Sequence, residues 1–122
     1  MNGLPDAKDR ILIVDDKKDI RDIVSKILVH MGYEVAKAKD GKEGLGLFLH
    51  RPFNLVITDL SIPEGDGMSF AYSIKKQSPH TPVILMTGHA SETIEKGPVD
   101  CIMHKPFTWM DLEKTVQMFL GK

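Results

Sequence analysis

The feature that most constrains this chain is a junction that recurs four times: a short aliphatic run that stops abruptly at a polar residue. Arg10-Ile11-Leu12-Ile13-Val14 stops at Asp15-Asp16, and Asn54-Leu55-Val56-Ile57-Thr58 stops at Asp59. Pro82 to Met86 stops at Thr87-Gly88, and Cys101 to Met103 stops at His104-Lys105-Pro106. Runs that are apolar on both faces suit strands buried within a parallel sheet.

Between these runs the apolar period changes from that of a strand to that of a helix. Ile20, Ile23, Val24, Ile27, Leu28 and Met31 follow i, i+3, i+4, i+7 spacing and end at Gly32, as a helical stripe with a C-terminal glycine would. Tyr33 to Ala38 reads as a further strand and Asp40-Gly41 as a turn. Leu45, Phe48 and Leu49 mark a second helix that ends near Arg51-Pro52. The segment from Leu60 to Gly67, with Pro63, Gly65 and Asp66-Gly67, reads as a loop. Phe70, Ala71 and Ile74 mark a third helix, and Ser91 to Lys96 leaves room for a fourth of only a turn or two before Gly97-Pro98. Trp109, Leu112, Val116, Phe119 and Leu120 mark the last, with Trp109 expected to anchor its start.

Five strands alternating with helices imply an α/β class and a doubly wound parallel sheet. In the flavodoxin-like (βα)5 arrangement, with strand order 2-1-3-4-5, strands one, three, four and five are neighbours and their carboxyl ends share one crevice. The polar residues at the junctions would then converge. The 122 residues suffice for one domain, expected over residues 10–122 behind a flexible polar arm at residues 1–9 that holds Gly3 and Pro5. A net charge of −1 gives no global attraction to nucleic acid or an anionic membrane. No apolar run is long enough to span a bilayer, and MNGLPDAKDR has no signal-peptide core. The single cysteine, Cys101, excludes an internal disulfide and fits a reducing cytoplasm, and it reads as a small core residue. The five histidines show no metal-ligand spacing.

Three carboxylates in one crevice repel, by about 4 kcal/mol per pair at roughly 4 Å and an effective dielectric near 20. A hard divalent cation such as Mg2+ resolves the conflict, because it takes carboxylate, water and phosphate oxygens. Lys105 adds a fixed positive charge and Thr87 a hydroxyl. Carboxylate, cation, ammonium and hydroxyl together suit phosphoryl transfer, with a carboxylate as the nucleophile. Taken singly, the same residues have plainer readings: Asp15-Asp16 as helix caps, Thr87 as a turn residue, Lys105 as a solvated charge.

The set of four junctions resembles the receiver domain of two-component response regulators. The matching pieces are Ile-Leu-Ile-Val-Asp-Asp ending at Asp16, Asp59 to Gly67, Met-Thr87-Gly and Lys105-Pro-Phe107, in order over about residues 10 to 120. The resemblance implies a signalling domain rather than an enzyme, acting only on its own phosphoryl group. Asp59 would accept that group from a phosphohistidine of a sensor histidine kinase or phosphotransfer protein. Asp16 and Asp59 would contact Mg2+ directly, Asp15 through water, and the Ser61 carbonyl would complete the shell. Lys105 and the Thr87-Gly88 turn would meet the phosphate, and the Lys105–Pro106 bond would be cis.

Two departures from the family stand out. The position three before Lys105, usually aromatic, is Ile102, so the switch is expected to rely on the loop after Thr87 instead. Lys105 stands 18 positions after Thr87, short of the family's usual spacing by roughly four residues, about one helical turn. A shortened fourth helix should weaken the usual symmetric dimer on the face of helix four, strand five and the last helix. His89 and Ser61 flank the acceptor and would modulate phosphate lifetime, although His89 reads equally well as a solvated loop residue. Direct nucleic-acid or membrane binding is not expected, and the output partner is not legible. Two other functions compete: an unphosphorylated binding module of the same fold, and an aspartate-nucleophile phosphohydrolase. The complete set Asp15, Asp16, Asp59, Thr87 and Lys105 disfavours the first. Ser61, standing where a general acid would be needed, disfavours the second.

Overall fold

The computed structural model describes residues 8–63, 66–88 and 96–121. The elements in chain order are β1 (Arg10–Val14), α1 (Lys18–His30), β2 (Glu34–Ala38), α2 (Gly41–His50), β3 (Leu55–Asp59), α3 (Gly67–Gln77), β4 (Val83–Thr87), β5 (Cys101–His104) and α4 (Trp109–Leu120). The short fourth helix expected at Ser91 to Lys96 lies almost wholly outside the described residues, as do most of the N-terminal arm and His89. The helix labelled α4 is therefore the last helix anticipated from the sequence.

All five strands are parallel and hydrogen-bond in the order β2-β1-β3-β4-β5. Alternate residues of each strand point to opposite faces, and two cores result. Leu12, Val14, Val56, Val83 and Leu85 face α2 and α3, where Phe48, Phe70, Ala71 and Ile74 cover them. Ile11, Ile13, Leu55, Ile57, Ile84 and Met86 face α1 and α4, where Val24, Leu28, Leu112 and Val116 cover them. A sheet covered on both sides explains why the strands read as unbroken apolar runs.

The helix ends follow local chemistry. Asp40 and Asp66 cap α2 and α3, each accepting a backbone N–H three residues on at 2.8 Å. Thr108 and Asp111 form a reciprocal capping box at the start of α4. Gly32 follows α1 with φ +102°, a left-handed conformation that glycine adopts without steric cost.

Three expectations about the buried stripes need correction. Trp109 is 57% exposed at the first position of α4 and anchors nothing in the core; the capping box fixes that helix start instead. Ile23 and Leu49 are also 57% exposed. Gly44 takes the core-facing place on α2, where a Cβ would come 2.9 Å from a Val14 methyl and 3.0 Å from the Phe70 ring. Cys101 is half-buried at the edge of the α1/α4 core, and its burial raises the thiol pKa, which disfavours the thiolate.

Candidate functional site

The carboxyl ends of β1, β3, β4 and β5 meet at one edge of the sheet, and backbone hydrogen bonds fix their heights. Val14 is level with Thr58, Asp59 with Met86, and Thr87 with His104. Just beyond the strands, Leu60 N–H donates to the Met86 carbonyl at 2.8 Å and Lys105 N–H to the Thr87 carbonyl at 2.7 Å. Asp15 N–H donates to the Ala38 carbonyl at 3.1 Å. These bonds place Asp15, Asp59, Thr87 and Lys105 around one point.

Carboxylate oxygens of Asp15, Asp16 and Asp59 lie within 4.8 Å of one another. Asp15 and Asp59 are buried, whereas the Asp16 side chain is 41% exposed. The Lys105 ammonium donates to Asp59 Oδ1 at 2.8 Å and reaches Asp15 Oδ2 at 3.4 Å. The other Asp59 oxygen, Oδ2, accepts the Ser61 N–H at 3.2 Å. Thr87 is buried beside them, and the Lys105–Pro106 peptide is cis.

The electrostatics record the crowding. Burial pushes the Asp15 carboxyl above the usual carboxylate range, and the charge of Asp59 adds to the push against the Lys17 N–H and Lys105, which act to lower it. Burial alone would pull the Lys105 ammonium down. Its hydrogen bond to Asp59 and the charges of Asp15 and Asp59 outweigh that, so its pKa stands above the ordinary lysine value. Three carboxylates against the partly buried Lys105 ammonium and the exposed Lys17 ammonium beside Asp16 still leave surplus negative charge in a set of oxygen donors. That is the donor chemistry of a hard divalent cation, so the residues present fit Mg2+.

A cavity of about 350 Å3 opens directly over Asp59 and is lined by Lys17, Ile20, Leu60, Ser61, Thr87, Gly88 and Lys105. An apolar groove adjoins it, built by Ile20, Ile23, Val24, Pro106 and Phe107, and shares Ile20, Gly88 and Lys105 with the cavity. Of the residues expected at the site, the structure brings together Asp15, Asp16, Asp59, Ser61, Thr87, Gly88 and Lys105. Ile102 sits apart, half-buried on β5 opposite Leu85, packed against the α2/α3 core. The cap reading of Asp15 is half right. Its Oδ1 accepts the Lys17 N–H at 2.9 Å, but the N-cap of α1 is Lys17, which makes no side-chain cap.

The fold and sequence recur in known proteins. The family model of the response regulator receiver domain matches residues 11–117. This chain belongs to that family. The receiver is 35% identical over 120 residues to a probable transcriptional regulator, ycf27, of Porphyridium aerugineum, covering 94% of this chain and 49% of that one. It is 34% identical over 119 residues to the regulatory protein AtoC of Escherichia coli, covering 93% of this chain and 26% of that one. The chain thus spans about half or less of the curated relatives it matches. Among solved structures, a receiver domain protein of Methanospirillum hungatei, described as CheY-like, superposes with a TM-score of 0.88 at 31% identity, over 94% of this chain and 95% of that one. The response regulator TrrA of Thermotoga maritima, solved in complex with Mg2+ and BeF, superposes with a TM-score of 0.84 at 30% identity, over 91% and 98%. The receiver is a phospho-acceptor module of two-component signalling by family.

Two contributors to the site were not singled out in the sequence. Lys17 lines the cavity, and the Arg21 guanidinium donates to the Asp15 backbone carbonyl at 2.7 Å. Their only signal is position, one and five residues after Asp16, and a charged residue early in a helix is ordinarily solvated.

Proposed function

We propose that Asp59 is the residue on which this receiver takes its phosphoryl group, from a phosphohistidine of a histidine kinase or phosphotransfer protein. The observation that carries the reading is the placement of Asp59. It is 4% exposed, yet it forms the floor of a cavity walled by Lys105, Thr87 and Ser61, and its carboxylate lies within 4.8 Å of those of Asp15 and Asp16. An Asp59 carboxylate oxygen forms a bond to phosphorus as the P–N bond of the donor breaks, and the imidazole leaves with the electron pair. The product is an acyl phosphate. Lys105 holds the carboxylate before reaction and balances the phosphoryl charge afterwards. Thr87, at the end of β4, and Gly88 border the position of the new phosphoryl oxygens.

Asp16 and Asp59, with the Ser61 carbonyl, would hold Mg2+, and Asp15 would act through water; the cation supplies charge neutralisation for the transferring group. The relative TrrA, solved in complex with Mg2+ and BeF, supports Mg2+ as the cation. Arg21 clamps the Asp15 carbonyl and so fixes the Asp15–Asp16 peptide. The receiver speeds formation and hydrolysis of its own acyl phosphate and acts on no separate substrate. With Ile102 in place of an aromatic residue, the loop after Thr87 carries the change outward. Ser61 and His89 set the phosphate lifetime. The domain spans residues 10–122. No helix among the described residues is long and apolar enough to cross a membrane, and a cytoplasmic place beside the kinase follows from the chemistry.

The apolar groove that runs from the cavity along Ile20 and Ile23 to Phe107 is continuous with the acceptor pocket, and we assign it to the partner helix that presents the phosphohistidine. The test is incubation with acetyl phosphate and Mg2+, followed by intact mass. One added phosphate, acid-stable and labile to hydroxylamine, absent without Mg2+ and absent in Asp59→Asn, is expected. No uptake by the wild type would favour an unphosphorylated binding module.

A further inference from the structure

The three acidic residues of the site do not share their counter-ions evenly. Lys105 serves Asp59 and Asp15, at 2.8 and 3.4 Å. Asp16, the exposed member, is served from the other side by Lys17, whose ammonium stands 3.7 Å from Asp16 Oδ1. Lys17 is not a loosely placed surface lysine at its backbone. Its N–H donates to Asp15 Oδ1 at 2.9 Å, and its carbonyl accepts the Arg21 N–H at 3.1 Å. The Cα is therefore held at the mouth of the cavity while the side chain, 61% exposed, remains free to turn. An exposed pair of this kind adds little to stability. Its effect falls on whatever else approaches Asp16.

We propose that Lys17 is a tethered competitor for the divalent cation, which lowers the affinity of the carboxylate cluster by occupying Asp16. The inference rests on the reading of Asp15, Asp16 and Asp59 as the metal site. A cation seated among those oxygens competes with Lys17 for the Asp16 carboxylate and lies within a few ångströms of a positive charge that the backbone keeps nearby. In water-like dielectric, a unit and a double charge about 6 Å apart repel enough to weaken binding by roughly three- to tenfold. The repulsion is between partly exposed groups, so salt attenuates it. Lys105 cannot play this part, because it is committed to Asp59 and Asp15 and lies on the phosphoryl side.

The experiment is calorimetric titration of the unphosphorylated protein with MgCl2, for wild type, Lys17→Gln and Lys17→Arg, at low and high ionic strength. The expected result is that Lys17→Gln binds Mg2+ about three- to tenfold more tightly at low salt. The gap should narrow at high salt, and Lys17→Arg should stay near wild type because it keeps the charge. The Mg2+ concentration giving half-maximal phosphate uptake should fall in Lys17→Gln by the same factor. Equal or weaker Mg2+ binding by a folded Lys17→Gln overturns the proposal and leaves the metal site intact. Wild-type protein that binds no Mg2+ overturns both. Melting curves in EDTA confirm that the variants fold, so a lost site is not mistaken for a lost competitor.

Discussion

A Cβ placed on Gly67 would lie 2.2 Å from the Asp59 carbonyl oxygen and 3.0 Å from the Leu60 Cα. Gly67 also donates its N–H to the Leu60 carbonyl at 2.7 Å, closing the loop that carries Ser61 back against the acceptor strand. The first residue of α3 thus has no space for a side chain, and the obstacle is backbone that cannot yield. Gly67→Ala is expected to lower stability by about 2 kcal/mol, read as a shift in the urea midpoint, and to slow phosphate uptake because Asp59 must move. Wild-type stability in that variant would show that the loop is looser than the structure describes. Asp59, Thr87 and Lys105 were legible in the sequence because each ends an apolar run, and a parallel sheet gathers such ends. Lys17 and Arg21 were not, because their roles depend on which way a helix start faces, which charge alone does not tell.

At the scale of elements, the end of the sheet remote from the site is tied by a polar staple. Asp100 Oδ2 accepts from the Val83 N–H at 2.8 Å and from the Lys75 ammonium at 2.7 Å, while Lys75 also donates to the Thr81 carbonyl at 2.8 Å. One carboxylate therefore joins α3, the start of β4 and the approach to β5. Burial acts to raise the Asp100 pKa, but the bonds from Lys75 and Val83 outweigh it and hold the carboxyl below its ordinary value. A folded-state pKa below the unfolded one gives stability that is present above the unfolded value and lost as pH falls through the folded one. Asp100→Asn should cost about 1 kcal/mol at neutral pH, discounted for partial exposure. Wild type and variant should converge at acid pH below the ordinary aspartate range. Parallel unfolding curves with a constant gap down to that range would contradict the assignment. The elements themselves were legible from period and punctuation, but the width of their buried stripes was not. Ile23, Leu49 and Trp109 fit the helical period, yet they fall on the margin of each stripe, where neighbouring helices leave them to solvent. The exposure of Ile23 in the groove beside the cavity suits it to contact with a partner. Ile23→Glu should slow phosphotransfer from the cognate kinase about tenfold, as loss of a central apolar contact does. Uptake from acetyl phosphate should hold steady, and an equal loss with both donors would place Ile23 outside the docking surface.

Over the whole molecule, phosphorylation at the proposed acceptor, Asp59, would have to be reported elsewhere, and two features of the sequence bear on that. Ile102 packs into the α2/α3 core opposite Leu85 and is stiff at χ1, so it is poorly suited to swing with Thr87. The segment from Thr87 to β5 is short, and the face it helps to form is expected to support only weak self-association. Light scattering of the phosphorylated receiver should therefore show a monomer, and a tight dimer lost on mutation of β5 or α4 would contradict this. The strand order was legible because the alternation of strand and helix leaves few chain paths, whereas the partner was not, because a docking groove is assembled from α1 and the segment after β5. Of the three carboxylates in the cluster, Asp59 alone is expected to react. Borohydride reduction of the phosphorylated protein converts an aspartyl phosphate to homoserine, and peptide mass mapping locates it. Homoserine is expected at position 59 alone; homoserine at position 15 or 16, or at none, would contradict the assignment of Asp59.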